Sequence, residues 1–218
     1  KQKYKKVLGT TAKGIGTCYS DKYARKGIRV QDRKEEFKEY VWDEKLFGKV
    51  LCEGAQGFWL DIDYGNYPYV TSSSCLPHSA CTLGFAPQKI RSIFGAVKMY
   101  DTRVGKDPDF PDDLLCNQEL MTLAQEGNEY GTTTNRARLV NYLNLDKLIS
   151  AIEVSGTTEL IISKVDIVEK ANIFRYYYQD ILHTVDTLQQ MKDDIQEILY
   201  SNTSLLKNII FSSNPEKI

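Results

Sequence analysis

The sequence predicts an α/β protein: a mainly parallel central sheet flanked by helices, with ligand loops at the carboxyl edge of the sheet. Three observations carry this. Short apolar runs with strand character stand at residues 49–52 and 159–163, with others near residues 7 and 209. Segments with apolar residues three and four apart, the helical period, alternate with them. Turns rich in glycine and hydroxyl side chains follow strand-like ends, as at 54–57 and 71–74. The chain of 218 residues is long enough for a sizeable core and reads as one domain, 1–218.

Composition narrows the function classes. The formal charge of −1 excludes bulk electrostatic binding of nucleic acid but leaves room for a local basic pocket. No apolar run approaches the ~20 residues of a membrane span. The start, KQKYKKVLGTT, is basic without the apolar core of a signal peptide. We therefore expect no nucleic-acid partner, no membrane and a cytoplasmic location. The five cysteines, at 18, 52, 75, 81 and 116, are odd in number and form no CxxC pair, so they read as reduced thiols, not a zinc site or disulfide framework. His78 and His183 lie far apart and read as structural. Lys1 runs almost at once into strand-like Val7-Leu8. An α/β domain would place a strand and helix earlier, so an N-terminal portion is expected to be missing.

The elements follow in order. Residues 9–17, GTTAKGIGT, form a glycine-rich loop that is neither a Walker A motif nor GxGxxG. A helix through Tyr19 and Tyr23 should end at Gly27, with Arg25 and Lys26 in the last turn, where cations favour the helix dipole. Residues 32–48 read as a charged amphipathic helix with Phe37, Tyr40, Val41 and Leu46 as its apolar positions. The centre of the argument is 51–74, LCEGAQGFWLDIDYGNYPYVTSSS. It opens as a strand end. Gly54 and Gly57 let backbone approach a ligand around Gln56, whose amide both donates and accepts. Asp61, Asp63 and Gly65 form an acidic turn, and the hydroxyls of Thr71 to Ser74 suit a phosphate or a helix N-cap.

Residues 88–100 read as a helix or helix–strand junction with Ile90, Ile93, Phe94 and Val97 in the core. Asp101-Thr102-Arg103-Val104-Gly105 follows, then a proline- and aspartate-rich loop at 106–113. In 127–138, GNEYGTTTNRAR, three threonines and an asparagine precede two arginines. Arginine pairs bidentately with carboxylates, so this is anion chemistry, or a surface turn with solvated arginines. A helix is expected at 144–154 and a buried strand at 159–163 that closes on Ser163-Lys164-Val165-Asp166. Residues 171–207 read as helical, with Leu182, Val185, Leu188, Met191, Ile195 and Leu199 as the core-facing stripe and Tyr176 to Tyr178 in a core or interface.

EGAQG, LDIDYG, YPYVTSS, GNEYGTTTNR and SKVD, in this order, resemble the adenylosuccinate synthetase family in its compact archaeal or viral form. The resemblance implies a P-loop-NTPase-like synthetase fold lacking its N-terminal portion. The implied reaction is GTP-dependent ligation of L-aspartate to IMP through a 6-phosphoryl intermediate, in a homodimer with Mg²⁺. The family's general acid and base, its GDEGKGK phosphate loop and the Mg²⁺ ligands would lie upstream of Lys1. No catalytic residue is therefore expected in this chain, with Gln56 supporting the intermediate. IMP would be held by Thr10, Thr11, Arg25, Gln56, Thr71 and Arg136, with Arg25 reaching the other subunit's site. Aspartate would be held by Thr132, Thr133, Thr134, Asn135 and Arg136. GTP would be held by Arg138, Lys164, Val165, Asp166, Ser212, Ser213 and Asn214. A phage-borne relative that uses dGMP leaves dGMP in place of IMP, and ATP in place of GTP, open. A non-catalytic nucleotide-binding or dimerisation module is the alternative if the chain begins at Lys1.

Overall fold

The computed structural model describes residues 13–42, 44–131, 135–214 and 216. Its framework lies between Phe94 and Phe211. Three strands, β1 (Phe94–Lys98), β4 (Glu159–Ser163) and β7 (Asn208–Phe211), form a parallel sheet in the order β1-β4-β7. The second sheet, in the order β2-β3-β5-β6, is mixed: β2 (Tyr100–Arg103), β3 (Leu139–Asn144), β5 (Arg175–Tyr178) and β6 (Ile181–Thr184). Here β2 pairs with β3 and β5 with β6 in antiparallel fashion, while β3 and β5 run parallel. The two sheets share one extended stretch of chain. At Met99 it leaves the first sheet, after donating its N–H to Ser163 O at 2.8 Å, and enters the second.

The α/β class stands, with the parallel sheet as expected and the mixed sheet as an addition. Strand β4 sits in the middle of its sheet. Its continuous apolar run is the pattern of a strand covered on both faces, and Leu160 and Ile162 are buried. Helix α1 spans Ile15–Tyr23, α2 Gln118–Glu126, α3 Leu145–Ser155, α4 Val165–Ala171 and α5 Leu188–Asn202. Asn117, Asn144 and Thr187 cap α2, α3 and α5 by accepting from backbone N–H groups of the first turn. Leu145, Leu148 and Ile152 of α3, and Met191, Ile195 and Leu199 of α5, bury one stripe each in the common core.

Four sequence expectations are corrected. Residues 49–52 form no strand: they are irregular, and Val50 and Leu51 are exposed, because an apolar run becomes a strand only where another strand can pair with it. At 88–100 the helix–strand junction stands, as a single 3₁₀ turn at Pro87–Lys89 followed by β1 and the start of β2, but Phe94 is exposed, not core. The helix expected at 32–48 is an 11-residue stretch of 3₁₀ turns, Val30–Tyr40, kinked at Arg33 and without a buried residue. The long helix of 171–207 is confined to α4's last residue and α5. Between them lies the β5–β6 hairpin, turned by Gln179 and Asp180, both at positive φ. That two-residue left-handed turn matches the twist of a hairpin. The expected stripe is accordingly cut: Leu182 is exposed on β6. Of the tyrosines, Tyr176 is buried, stacks on His183 at 5.2 Å and donates to Asp194 at 2.9 Å. The strand expected near residue 7 lies outside the described residues.

Candidate functional site at the carboxyl edge

All three strands of the parallel sheet end at one edge, and the register places Lys98 beside Ser163 and Ile162 beside Phe211. After Ser163 the chain turns through Lys164, whose φ of 64° is left-handed, and starts α4 at Val165. After Phe211 it passes Ser212, which donates its N–H to Ile162 O at 2.8 Å, while Ser212 O accepts from Val165 N at 3.4 Å. Lys164, Val165, Asp166 and Ser212 to Asn214 therefore form one group. Val165 is fully buried as its floor, Ser212 is buried, and Asp166, Ser213 and Asn214 are exposed at its mouth. Ser212 Oγ donates to Asn214 O at 2.9 Å and braces the second loop.

A second loop joins this edge. Arg138 N–H donates to Glu129 O at 2.9 Å and Gly131 N–H to Arg136 O at 2.8 Å, so 129–131 and 136–138 run back against each other. Asn135 closes the turn at φ 48°, a left-handed conformation that asparagine accepts. Arg136 and Arg138 are half-buried on the returning arm. Thr132, Thr133 and Thr134 lie outside the described residues, as do Thr10 and Thr11.

The side chain that organises this loop was not singled out in the sequence. Glu129 is buried, and its carboxylate accepts from Lys98 Nζ at 2.6 Å, Tyr100 OH at 2.7 Å and Arg138 Nη1 at 2.8 Å. Burial pushes its carboxyl up, but the bonds from Lys98, Tyr100 and Arg138 outweigh this and hold it below the usual range. Burial lowers the Lys98 ammonium, against the Glu129 bond and with help from nearby Arg138 and Lys164. Burial, then the bond to Glu129, pushes the Tyr100 phenol well up. Lys164 Nζ donates to Gly127 O at 3.0 Å. Three cations thus converge around residues 127–129, with the Glu129 carboxylate buried among them and the Asp166 carboxylate near enough to act on Tyr100. The strand pairings bring Lys98, Tyr100 and Glu129 together across about thirty residues of chain, and no local motif marks them.

The remaining candidates sit on the earlier part of the chain. Asp61 is fully buried and accepts from Asp63 N at 2.9 Å, Tyr64 N at 3.2 Å, Ser74 Oγ at 2.9 Å and Cys75 N at 2.6 Å. Burial raises its carboxyl, and these four bonds more than compensate, so it lies below the usual range. Ser74 is thereby committed to holding the loop. Gly65 has no room for a side chain: a Cβ there would lie 2.6 Å from Trp59 O. Thr71 is half-buried, its N–H donating to Leu60 O at 2.8 Å. A Cβ on Gly16 would stand 3.1 Å from Ser72 Oγ, so the start of α1 abuts the hydroxyl run. Gln56 and Arg25 are exposed, at φ 75° and 60°. Arg103 is buried, donates to Tyr69 O and lies 3.0 Å from Asp107, and so ties the 67–70 segment to β2.

Loops gathered beyond the carboxyl ends of a parallel sheet, here carrying Lys98, Arg138 and Lys164 and a left-handed strand-to-helix turn, stand where α/β proteins bind their ligands. The family model described as adenylosuccinate synthetase matches residues 1–47 and 38–191. The adenylosuccinate synthetase of Thermodesulfovibrio yellowstonii is 38% identical over an alignment that covers 76% of this chain and 50% of that protein. That of Flavobacterium johnsoniae is 37% identical, covering 76% and 51%. The solved structure of the fully ligated adenylosuccinate synthetase from Plasmodium falciparum superposes with a TM-score of 0.76 at 21% identity, over 98% of this chain and 70% of that one, which shows the fold. This chain belongs to the adenylosuccinate synthetase family. It spans about half the length of the curated relatives it matches. Among the described residues no helix is long and apolar enough to cross a membrane.

Proposed function

We propose that the protein at its natural full length is a cytoplasmic ligase of purine nucleotide biosynthesis, of which these 218 residues form a single synthetase-like domain unit. It joins L-aspartate to IMP with GTP, giving adenylosuccinate, GDP and phosphate. The observation that supports this best is family membership, combined with the loop set at the carboxyl edge. The chemistry needs such a set. The C6 oxygen of the purine is a poor leaving group. Transfer of the GTP γ-phosphoryl to it makes a 6-phosphoryl intermediate; the aspartate amine then bonds to C6 as the C6–O bond breaks and phosphate departs. Fixed positive charge is what stabilises such transfers.

In this reading Asp166, exposed at the mouth, accepts from the guanine N1–H and N2–H₂, and the Lys164 stem packs on the base beside Val165, Ser212, Ser213 and Asn214. Arg138 faces the triphosphate. Arg136 and Asn135, with Thr132, Thr133 and Thr134, hold the aspartate carboxylates. Thr10, Thr11, Gln56, Thr71 and Arg136 hold IMP, and Arg25 reaches the IMP phosphate of a second subunit in a homodimer. Its exposure is compatible with that reach. Mg²⁺ accompanies GTP in the proposal. Among the described residues no group of three His, Cys, Asp or Glu side chains gathers to hold a metal ion.

Incubation of the full-length protein with IMP, GTP, Mg²⁺ and L-aspartate tests the reading. Phosphate release should require all three substrates, with adenylosuccinate formed in equal amount. Phosphate release that ignores aspartate, or needs dGMP in place of IMP, would overturn it.

A further inference from the structure

Glu129 has no place among the ligand contacts proposed above, yet side chains from β1, from β2 and from the loop arm that leads into β3 converge on it. Its own side chain is 1% exposed, while Lys98 and Arg138 are 22% and 27% exposed. The carboxylate therefore lies beneath the surface and the two cations stand above it, facing out. A guanidinium has five N–H donors, so the bond from Nη1 leaves most of the Arg138 fork for another acceptor. Lys98 spends two of its three N–H groups, on Glu129 and on Thr102 Oγ1 at 3.1 Å. Tyr100 OH anchors the other carboxylate oxygen and ties it to β2. Gly127 makes room for this: a Cβ there would lie 2.2 Å from Tyr100 OH.

Stability alone is a poor reason for this arrangement. A buried ion set repays little of its desolvation cost, and apolar side chains of similar volume commonly do as well or better. Fixed, outward-facing cations are useful where an anion must be met without reorganisation. We infer that Glu129 is a positioning residue, which holds Arg138 and Lys98 as a rigid cation pair for the phosphates of the nucleoside triphosphate, and that Lys98 is itself a phosphate-site residue. The inference rests on the carboxyl edge being the triphosphate site, as proposed above.

The test is equilibrium binding of GTP to the full-length protein, by displacement of a fluorescent GTP analogue, for the natural protein, E129Q, R138A and the double variant, with IMP binding and thermal midpoint measured in parallel. We expect E129Q to weaken GTP binding about tenfold or more with IMP binding unchanged. If Glu129 acts through Arg138 and Lys98, E129Q should cost clearly less in the R138A background than in the natural protein, the remainder being the part carried by Lys98. K98M should weaken GTP binding by a similar factor. Y100F, which removes one anchor of Glu129 and no group that faces the ligand, should weaken it about threefold and decides the matter if E129Q fails to fold. A natural protein that binds no GTP overturns the triphosphate site together with this role. A natural protein that binds GTP, with E129Q and Y100F binding it equally well or with effects that simply add to R138A, overturns the role of Glu129 alone.

Discussion

Two loops of this protein are each built on a buried carboxylate, and they differ in what satisfies it. Asp61 is met by three backbone N–H groups and the hydroxyl of Ser74, all from residues 61–75. Glu129 is met by a lysine, an arginine and a tyrosine, two of which come from the strand stretch at 98–100. Neutral donors close the first loop on itself. Cationic donors leave the second with positive charge to spare. A buried carboxylate bonded to backbone is a fastening, whereas one bonded to half-exposed cations sets charge at a surface. The contrast separates a loop whose shape is the product from a loop whose charge is.

The contrast can be broken most sharply at Asp61. Asp61→Ala strips the acceptor from several buried donors at once and should cost about 3–5 kcal/mol, while Glu129→Gln, whose cations can turn to water, should cost about 1–2 kcal/mol. Urea unfolding of both variants checks this; equal costs would mean that both carboxylates are fastenings. Acid gives the next test. The Asp61 carboxyl is depressed in the folded chain, by its four hydrogen bonds acting against burial. The unfolded chain then binds more protons in acid, so this stabilisation is present above the unfolded aspartate value of about 4 and is lost as pH falls through the lower folded value. The natural protein should lose stability below about pH 4, and Asp61→Asn should flatten that limb in a series of urea midpoints against pH. An unchanged limb would assign the acid loss to other carboxylates. The smallest effect is expected of Ser74→Ala, about 1 kcal/mol for one hydrogen bond, with GTP and IMP affinity unaltered. A loss of IMP affinity would mean that the Ser74 hydroxyl serves a ligand as well as Asp61.

A second difference concerns legibility. Strand β4 was readable because its apolar run is short, continuous and bounded, and α3 because Leu145, Leu148 and Ile152 keep the helical period behind the Asn144 cap. The SKVD turn was readable as a strand end for the same reason. From residue 13 to residue 60 no described residue is buried, and there the local patterns at 32–48 and 49–52 misled. Amphipathic spacing and an apolar tetrapeptide become a regular element only when a neighbour covers them. The β5–β6 hairpin carries no local mark, because Leu182, Val185 and Leu188 continue the spacing of α5, and Gln179-Asp180 is an unusual choice for a left-handed turn. Asp61 was visible only as an acidic turn residue. Its burial depends on Ser74 and Cys75 folding back over it.

What the sequence by itself determined are the things that act over a few residues: the helical period of α3 and α5, the strand end at Ser163-Lys164, and an order of motifs specific enough to name a family. Tertiary structure decided which apolar runs found partners and which side chains share a site. Lys98 and Glu129 are 31 residues apart, and Lys164 and Gly127 are 37 apart. Strand pairing and burial are cooperative and non-local: a strand is defined by its neighbour, and a buried charge by the groups that fold over it. The carboxyl edge therefore exists only once β1, β4 and β7 lie side by side.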